Sequence, residues 1–203
     1  ICVFNGEIYN YKKLEKMFKK EKIYKSDGEC IIDLYLNYGE TFTQYIHGEF
    51  AIVLIDLNKN KIIISSDVFA TKPIYIRSDN DKFAISTYKY ALNELGFQTK
   101  NNEEYKLEAN TILCLNLNNY KFDFIGKVHD FKLTQHKNNF NDFNEVFLKT
   151  INMMAKHGHN NSEISEKEKK KIFITLSSGY DSGSLACALN KCNIDFGCLS
   201  SYA

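Results

Sequence analysis

Apolar and polar positions alternate along most of the first two thirds of the chain, and the period of that alternation changes several times. "ICVFN", residues 1–5, is an apolar run that predicts a strand, ending at Asn5-Gly6-Glu7 where the chain turns toward a helix. In "NYKKLEKMFKK", Tyr11, Leu14, Met17 and Phe18 share one helical face. In "ECIIDLYLNYG", Ile31, Leu34 and Tyr35 recur at i, i+3 and i+4, and Gly39 sits where a C-cap belongs. "EFAIVLIDLNKNKIIISSD" predicts a hairpin, because two runs rich in strand formers flank Asn58-Lys59-Asn60. "PIYIRSDNDKFAIST" repeats the device around Asp79-Asn80-Asp81, "YKYALNELG" predicts a short helix closed by Gly96, and "NTILCLNLNNYKFDFIG" predicts a third hairpin turning at Asn118-Asn119. Residues 1–135 therefore read as an α+β domain dominated by antiparallel strands.

The texture then changes. "KLTQHKNNFND" is polar and loop-like. "NDFNEVFLKTINMMAKHG" predicts a helix with Phe143, Phe147, Ile151 and Met154 on one stripe, and "HGHNNSEISEKEKKK" reads as a charged, solvated insertion. Together they make residues 136–170 a linker helix and insertion. From Lys171 the order is strand, Ser/Gly loop, helix, strand, the opening βαβ unit of a parallel sheet over 171–203.

Composition narrows the function without naming it. The net charge of +1 gives no global field for nucleic acid or a membrane surface. The 15 Phe and 13 Tyr have no accompanying basic stripe, so they read as core rather than as a nucleic-acid stacking platform. No apolar run approaches the ~20 residues of a spanning helix, and no secretory signal opens the chain. The cysteines at 2, 30, 114, 187, 192 and 198 form no CxxC pair, which points to free thiols and a cytoplasmic protein. His157-Gly158-His159 reads as surface histidines at a helix end rather than a metal pair. The chain opens inside an apolar run without an initiator methionine and stops at "FGCLSSYA", so it is expected to be a piece of a longer protein.

Two stretches carry candidate chemistry. "LSSGYDSGS" (176–184) leaves an apolar strand, "KIFITL", and enters a helix directly. Small residues let the backbone approach phosphate oxygens, and the first N–H groups of a helix are unpaired and carry the positive end of its dipole. The turn holds no lysine, so it is not a Walker-type loop. Asp181 would hold a phosphate only through Mg²⁺, and it reads equally as a helix cap. The second stretch is "FNGEIYNY" (4–11), where the Asn5 amide and the Gly6 N–H suit an oxyanion hole. Glu7, and Asp27 in "KSDGE", suit an ammonium group. Taken singly, Asn-Gly is also a common turn and both acids are also ordinary helix caps.

The ordered set is more specific than its members. "FNGEIYNY", "SDGE", "HGEFAIVLID", "DVFATKPIYI" and "FAIS", followed by "LSSGYDSGS", resemble the glutamine-dependent asparagine synthetases in order and spacing. The resemblance implies a four-layer α/β/β/α sandwich of the N-terminal-nucleophile hydrolase type, then the first βαβ unit of an ATP pyrophosphatase domain. It implies glutamine hydrolysis supplying ammonia to a carboxylate, such as that of aspartate, activated by ATP and Mg²⁺. It assigns Asn5 and Gly6 to the oxyanion hole, and Glu7 and Asp27 to the α-amino group of glutamine. It places Ser177, Ser178, Gly179, Asp181 and Ser182 around ATP, with Asp181 toward Mg²⁺, and makes Lys72 and Pro73 structural. Small-molecule substrates, no nucleic acid and no membrane follow as partners, and a homodimer is compatible.

Three departures qualify the match. The family's nucleophilic cysteine and its glutamine-gripping arginine precede "NGEIYN", so both are expected upstream of Ile1. Cys2 is no substitute, because the chemistry needs amine and thiol on one residue. Ser178 stands where the family's SGGxDS loop has glycine, and Thr87 where it often has glutamate. The competing expectation is a repurposed homologue without a working glutaminase, either a cyclase similar to β-lactam synthetases or a ligand-binding scaffold.

Overall fold

The computed structural model describes residues 1–18, 23–79, 82–95, 103–157 and 171–200. It divides into two compact units, Ile1–Lys132 and Leu133–Ala203.

The first unit is built on a five-stranded antiparallel sheet. Its strands are β1 (Cys2–Ile8), β2 (Gly48–Asp56), β3 (Lys61–Ser66), β7 (Thr111–Asn116) and β8 (Lys121–Lys127), in the order β1-β2-β3-β7-β8. A second antiparallel sheet holds β5 (Lys82–Ser86), β4 (Tyr75–Asp79) and β6 (Glu103–Lys106), with β4 central. The large sheet is buried on both faces, and its apolar runs show why. Phe50, Ile52, Leu54, Ile63 and Ile112 pack toward α1 (Tyr11–Met17) and α2 (Cys30–Tyr38), meeting Tyr11, Leu14, Ile31, Leu34 and Tyr35. The alternate positions Ala51, Ile62, Ile64 and Leu115 pack toward the second sheet against Ile74, Ile76 and Leu107. Each fully buried Ile, Leu or Phe contributes about 1.5–3 kcal/mol, so the two clusters fix the register of every central strand. A helix layer, a large sheet and a small sheet result. α3 (Lys89–Glu94) follows β5 and buries Leu92.

Most predicted elements are present, and Gly39 closes α2 with φ +64°. Three findings differ from expectation. Asn5, Gly6 and Glu7 do not turn the chain toward a helix. They stay in β1 to Ile8, because β2 pairs with the strand through Gly6↔Phe50, Glu7↔Glu49 and Ile8↔Gly48. Met17 is exposed rather than on the packed face of α1. β6 has no apolar alternation to announce it and exists because β4 offers it a partner, Tyr75↔Lys106 through Ser78↔Glu103.

The second unit contains α4 (Asn141–Lys156), β9 (Ile172–Thr175), α5 (Tyr180–Lys191) and β10 (Phe196–Leu199), with β9 and β10 parallel across α5. Two short strands offer little to bury against. The stripe predicted for α4 accordingly leaves Phe143 and Met154 exposed, although the Phe143 and Phe147 rings stack with centroids 6.1 Å apart. Gly96, the turn residues Asn80 and Asp81, His159 and positions 158–170 of the insertion lie outside the described residues.

Candidate functional site

β1 is an edge strand, and its hydrogen-bond parity determines what its open side presents. Ile1 and Ile55 exchange backbone bonds of 2.9 and 2.8 Å, and Tyr9 N–H donates to His47 O at 2.9 Å, so the odd positions of β1 bond to β2. Phe50, opposite Gly6, turns both of its backbone groups the other way. Its N–H donates to Asp67 Oδ2 at 3.1 Å, and its carbonyl accepts from Asp67 N–H at 2.9 Å. Gly6 therefore belongs to a non-hydrogen-bonded pair, and its N–H points out from the free edge of the sheet.

Only glycine fits there. Gly6 has φ +148°, and a Cβ built on it would lie 1.9 Å from the Glu49 carbonyl oxygen. Gly48, opposite Ile8, is pressed as closely from the other strand, with a built Cβ 2.1 Å from Glu7 O. Asn5 is exposed and lies opposite Ala51, on the face that packs toward the second sheet. Its Nδ2 donates to Thr87 Oγ1 at 3.2 Å. An amide nitrogen has two hydrogens, so one remains for a ligand beside the outward Gly6 N–H.

The acids gather at the same end of β1. Asp27 opens a 3-10 turn, Asp27–Glu29, that feeds α2. Its Oδ2 accepts from Ile8 N–H at 2.7 Å, and its Oδ1 accepts from Gly28 N–H at 3.0 Å. Carboxylate oxygens of Asp27 and Glu7 lie within 4.8 Å of each other, where a cation lowers their mutual repulsion. Tyr9 stands alongside, its hydroxyl donating to Glu49 Oε1 at 3.4 Å. Burial, with Glu49 and Glu7 nearby, pushes the Tyr9 phenol up to about 12, so it remains a donor at neutral pH. Cys2 packs against the helix-side core, and burial pushes its thiol up to about 11, opposite to what a nucleophilic thiolate requires.

The second group of predicted residues lies in the other unit. Gly179 is the N-cap of α5 with φ −80° and ψ 151°, so Asp181 is not the cap but stands at the second helical position, exposed. Ser182 closes the turn on itself. Its Oγ accepts from Ser177 N–H at 3.1 Å and lies 3.0 Å from Ser177 Oγ, which in turn accepts from Gly179 N–H at 3.2 Å. Ser178 is exposed, and Ser184 Oγ donates to Asp181 O at 2.8 Å. A helix N-terminus and an accessible carboxylate thus occupy one turn, beside hydroxyls that bond one another, a set that a polyphosphate with Mg²⁺ could occupy once those hydroxyls turn outward.

Two residues that matter were not singled out by sequence. Asp67 is 1% exposed and accepts from Phe50 N–H, Phe69 N–H, Thr71 N–H and Thr71 Oγ1, and so sets the parity that turns Gly6 outward. Asp67 opens the "DVFATKPIYI" stretch that entered the resemblance, but nothing in the sequence gave that acid a role of its own. Thr87 was noticed only as a departure from a pattern.

Comparison with known proteins agrees with the first unit. Residues 1–94 match the model of a family described as a glutamine amidotransferase domain. The chain is 37% identical over 81 residues to human glutamine-hydrolysing asparagine synthetase, covering 39% of this chain and 14% of that one. It is 41% identical over 80 residues to a Bacillus subtilis asparagine synthetase, covering 37% and 10%. It is also 34% identical over 88 residues to the amidase chry2 of Gibberella zeae, covering 42% and 13%. The resemblance to glutamine-dependent asparagine synthetases drawn from the motifs thus holds over the N-terminal region, while the chain spans only 10–14% of these relatives' lengths. Among solved structures, the glutamine phosphoribosylpyrophosphate amidotransferase of B. subtilis superposes with a TM-score of 0.52 at 12% identity, covering 98% of this chain and 45% of that one. That likeness shows the fold alone, a mixed α/β architecture with antiparallel sheets.

Proposed function

We propose that this chain contributes the glutamine-holding wall and oxyanion hole of a glutamine-dependent amidotransferase, together with the ATP-binding turn of the synthetase part that uses the ammonia. The observation that carries the reading is the open edge of β1, where an outward Gly6 N–H stands beside the Asn5 amide and next to the Glu7–Asp27 pair. Glutamine fits this order of groups. Its α-ammonium lies between the two carboxylates, and its side-chain amide reaches the two donors. As a nucleophile attacks the amide carbon, charge gathers on the oxygen, and donors already in place stabilise it without reorganising. Asp27 is held by Ile8 N–H and Gly28 N–H, so its position does not depend on the substrate.

In the second unit, the first N–H groups of α5 would hold phosphate oxygens, with the Ser177 and Ser182 hydroxyls turning from one another toward them, and Asp181 would hold Mg²⁺. ATP with Mg²⁺ supplies activation of a carboxylate acceptor, with aspartate the acceptor that the asparagine synthetase relatives suggest. Such an enzyme works on small molecules in the cytoplasm.

The test is Asn5→Ala in the full-length protein. Loss of one oxyanion donor lowers glutamine hydrolysis by roughly 10²–10³ and spares synthesis from free ammonia. An equal fall in both activities would mean that Asn5 serves folding. An unchanged rate of glutamine hydrolysis would support a homologue without a working glutaminase site here.

A further inference from the structure

We infer that Thr87 is a positioning residue that anchors the Asn5 amide where its free N–H can donate to the reacting oxygen. The inference rests on the reading of Asn5 as an oxyanion donor. An asparagine amide turns about χ2 between two broad, nearly equivalent states, one presenting N–H and the other presenting the carbonyl oxygen. Asn5 is exposed on an edge strand, and no neighbour on β1 or β2 is seen to hold its amide. Its hydrogen-bond partner is Thr87 Oγ1, 82 positions away, which accepts from Nδ2 at 3.2 Å.

A hydroxyl can donate as well as accept, so what Thr87 fixes is the place of the amide; in the arrangement found Thr87 Oγ1 accepts, nitrogen lies on its side, and the second N–H of the same nitrogen is left for the substrate. With the amide reversed, its carbonyl oxygen would stand where charge develops and would repel it. Thr87 is well placed for this work. It is half-buried, directly after β5, on the sheet that packs against the face carrying Asn5. Its β-branched side chain has few χ1 choices, so the hydroxyl stays where the backbone puts it. The oxyanion hole is therefore assembled from both sheets, with Gly6 supplied by the edge of one and the place of the Asn5 amide by the edge of the other.

The experiment compares Thr87→Val, Thr87→Ser and Asn5→Ala in the full-length protein. It reads kcat and KM for glutamine hydrolysis, and synthesis from free ammonia. The expected result is a kcat about tenfold lower in Thr87→Val, smaller than the loss of the whole donor. KM should stay within twofold, ammonia-dependent synthesis should be unchanged, and Thr87→Ser should recover most of the rate because it restores the acceptor. Normal hydrolysis in Thr87→Val beside a collapsed rate in Asn5→Ala would overturn this inference and leave the oxyanion reading standing. Normal hydrolysis in Asn5→Ala would overturn both. A fall in both activities, or failure of the serine variant to recover the rate, would assign Thr87 a structural role and equally overturn the inference.

Discussion

The two candidate sites are built in opposite ways. At the edge of β1 the geometry is imposed from a distance: Asp67 holds Phe50, Phe50 turns Gly6 outward, and Gly48 lets β1 lie close to β2. In the turn before α5 the geometry is local. Ser177, Gly179 and Ser182 lie within six positions and satisfy one another. The first arrangement resists change at its backbone and fails when any supporting residue is disturbed. The second can lose a side chain and keep its shape, since a strand-to-helix turn with a glycine N-cap does not need Asp181 to form. Substitutions in the turn should therefore separate function from folding, whereas substitutions at the β1 edge should join the two.

The largest expected effect is at Asp181. A carboxylate among phosphate-binding donors repels its ligand unless a cation lies between them, so the carboxylate is needed only if Mg²⁺ bridges. Asp181→Asn in the full-length protein should keep the melting temperature close to that of the parent, because a polar residue in the first helical turn is retained and the lost dipole interaction is worth about 0.3–1 kcal/mol. Pyrophosphate release should disappear, while glutamine hydrolysis continues. Normal pyrophosphate release would mean that the turn resembles an ATP site in outline only.

Gly6→Ala comes next and should behave in the opposite manner. The added methyl would meet the Glu49 carbonyl oxygen at 1.9 Å, on backbone that cannot move without breaking the β1–β2 ladder. Overpacking of this kind costs roughly 1–3 kcal/mol or more, and the positive φ adds strain. We expect a lower melting temperature and loss of glutamine hydrolysis together, in contrast to Asp181→Asn. A variant that kept full stability would show that β1 is not pressed against β2 as closely as the glycines require.

The same contrast explains what could be read from sequence. The turn before α5 was legible because its chemistry is contiguous. The strands of the large sheet were legible because both faces are apolar, as in the Ile62-Ile63-Ile64 run. At the front site the residue types were visible but not their backbone setting. Asn-Gly has the local chemistry of a turn, and it stays in a strand only because Phe50 and Gly48, more than forty positions away, accommodate it. The roles of Asp67 and Thr87 were hidden for the same reason, since each acts through a partner remote in sequence. β6 carries no pattern, because its strand identity comes from the edge of β4.

The smallest perturbation, alkylation of the native protein, sharpens the comparison without altering a residue. Cysteines of the first unit are shielded: burial pushes Cys2 to about 11 and Cys30 to about 12, and raises Cys114 as well. In the second unit Cys187 and Cys198 are exposed. The thiolate is the reacting form, so a rise of two pH units in pKa slows alkylation about a hundredfold before steric protection is counted. At pH 8, iodoacetamide should therefore modify Cys187 and Cys198 well before Cys2 and Cys30, and the difference should vanish in denaturant. The sign of the shift also gives a pH dependence. A thiol whose pKa is raised by folding lends stability in full below its ordinary value of 9.0, and that contribution falls as pH climbs toward 11 and 12. The first unit should accordingly lose stability on the alkaline side, most steeply between pH 9.0 and about 11, where an unfolded thiol ionises and the native Cys2 and Cys30 do not, and Cys30→Ala should reduce that slope. Rapid labelling of Cys2 at pH 8 in the native protein would mean that β1 leaves the sheet readily, and that the oxyanion geometry at Gly6 forms only transiently.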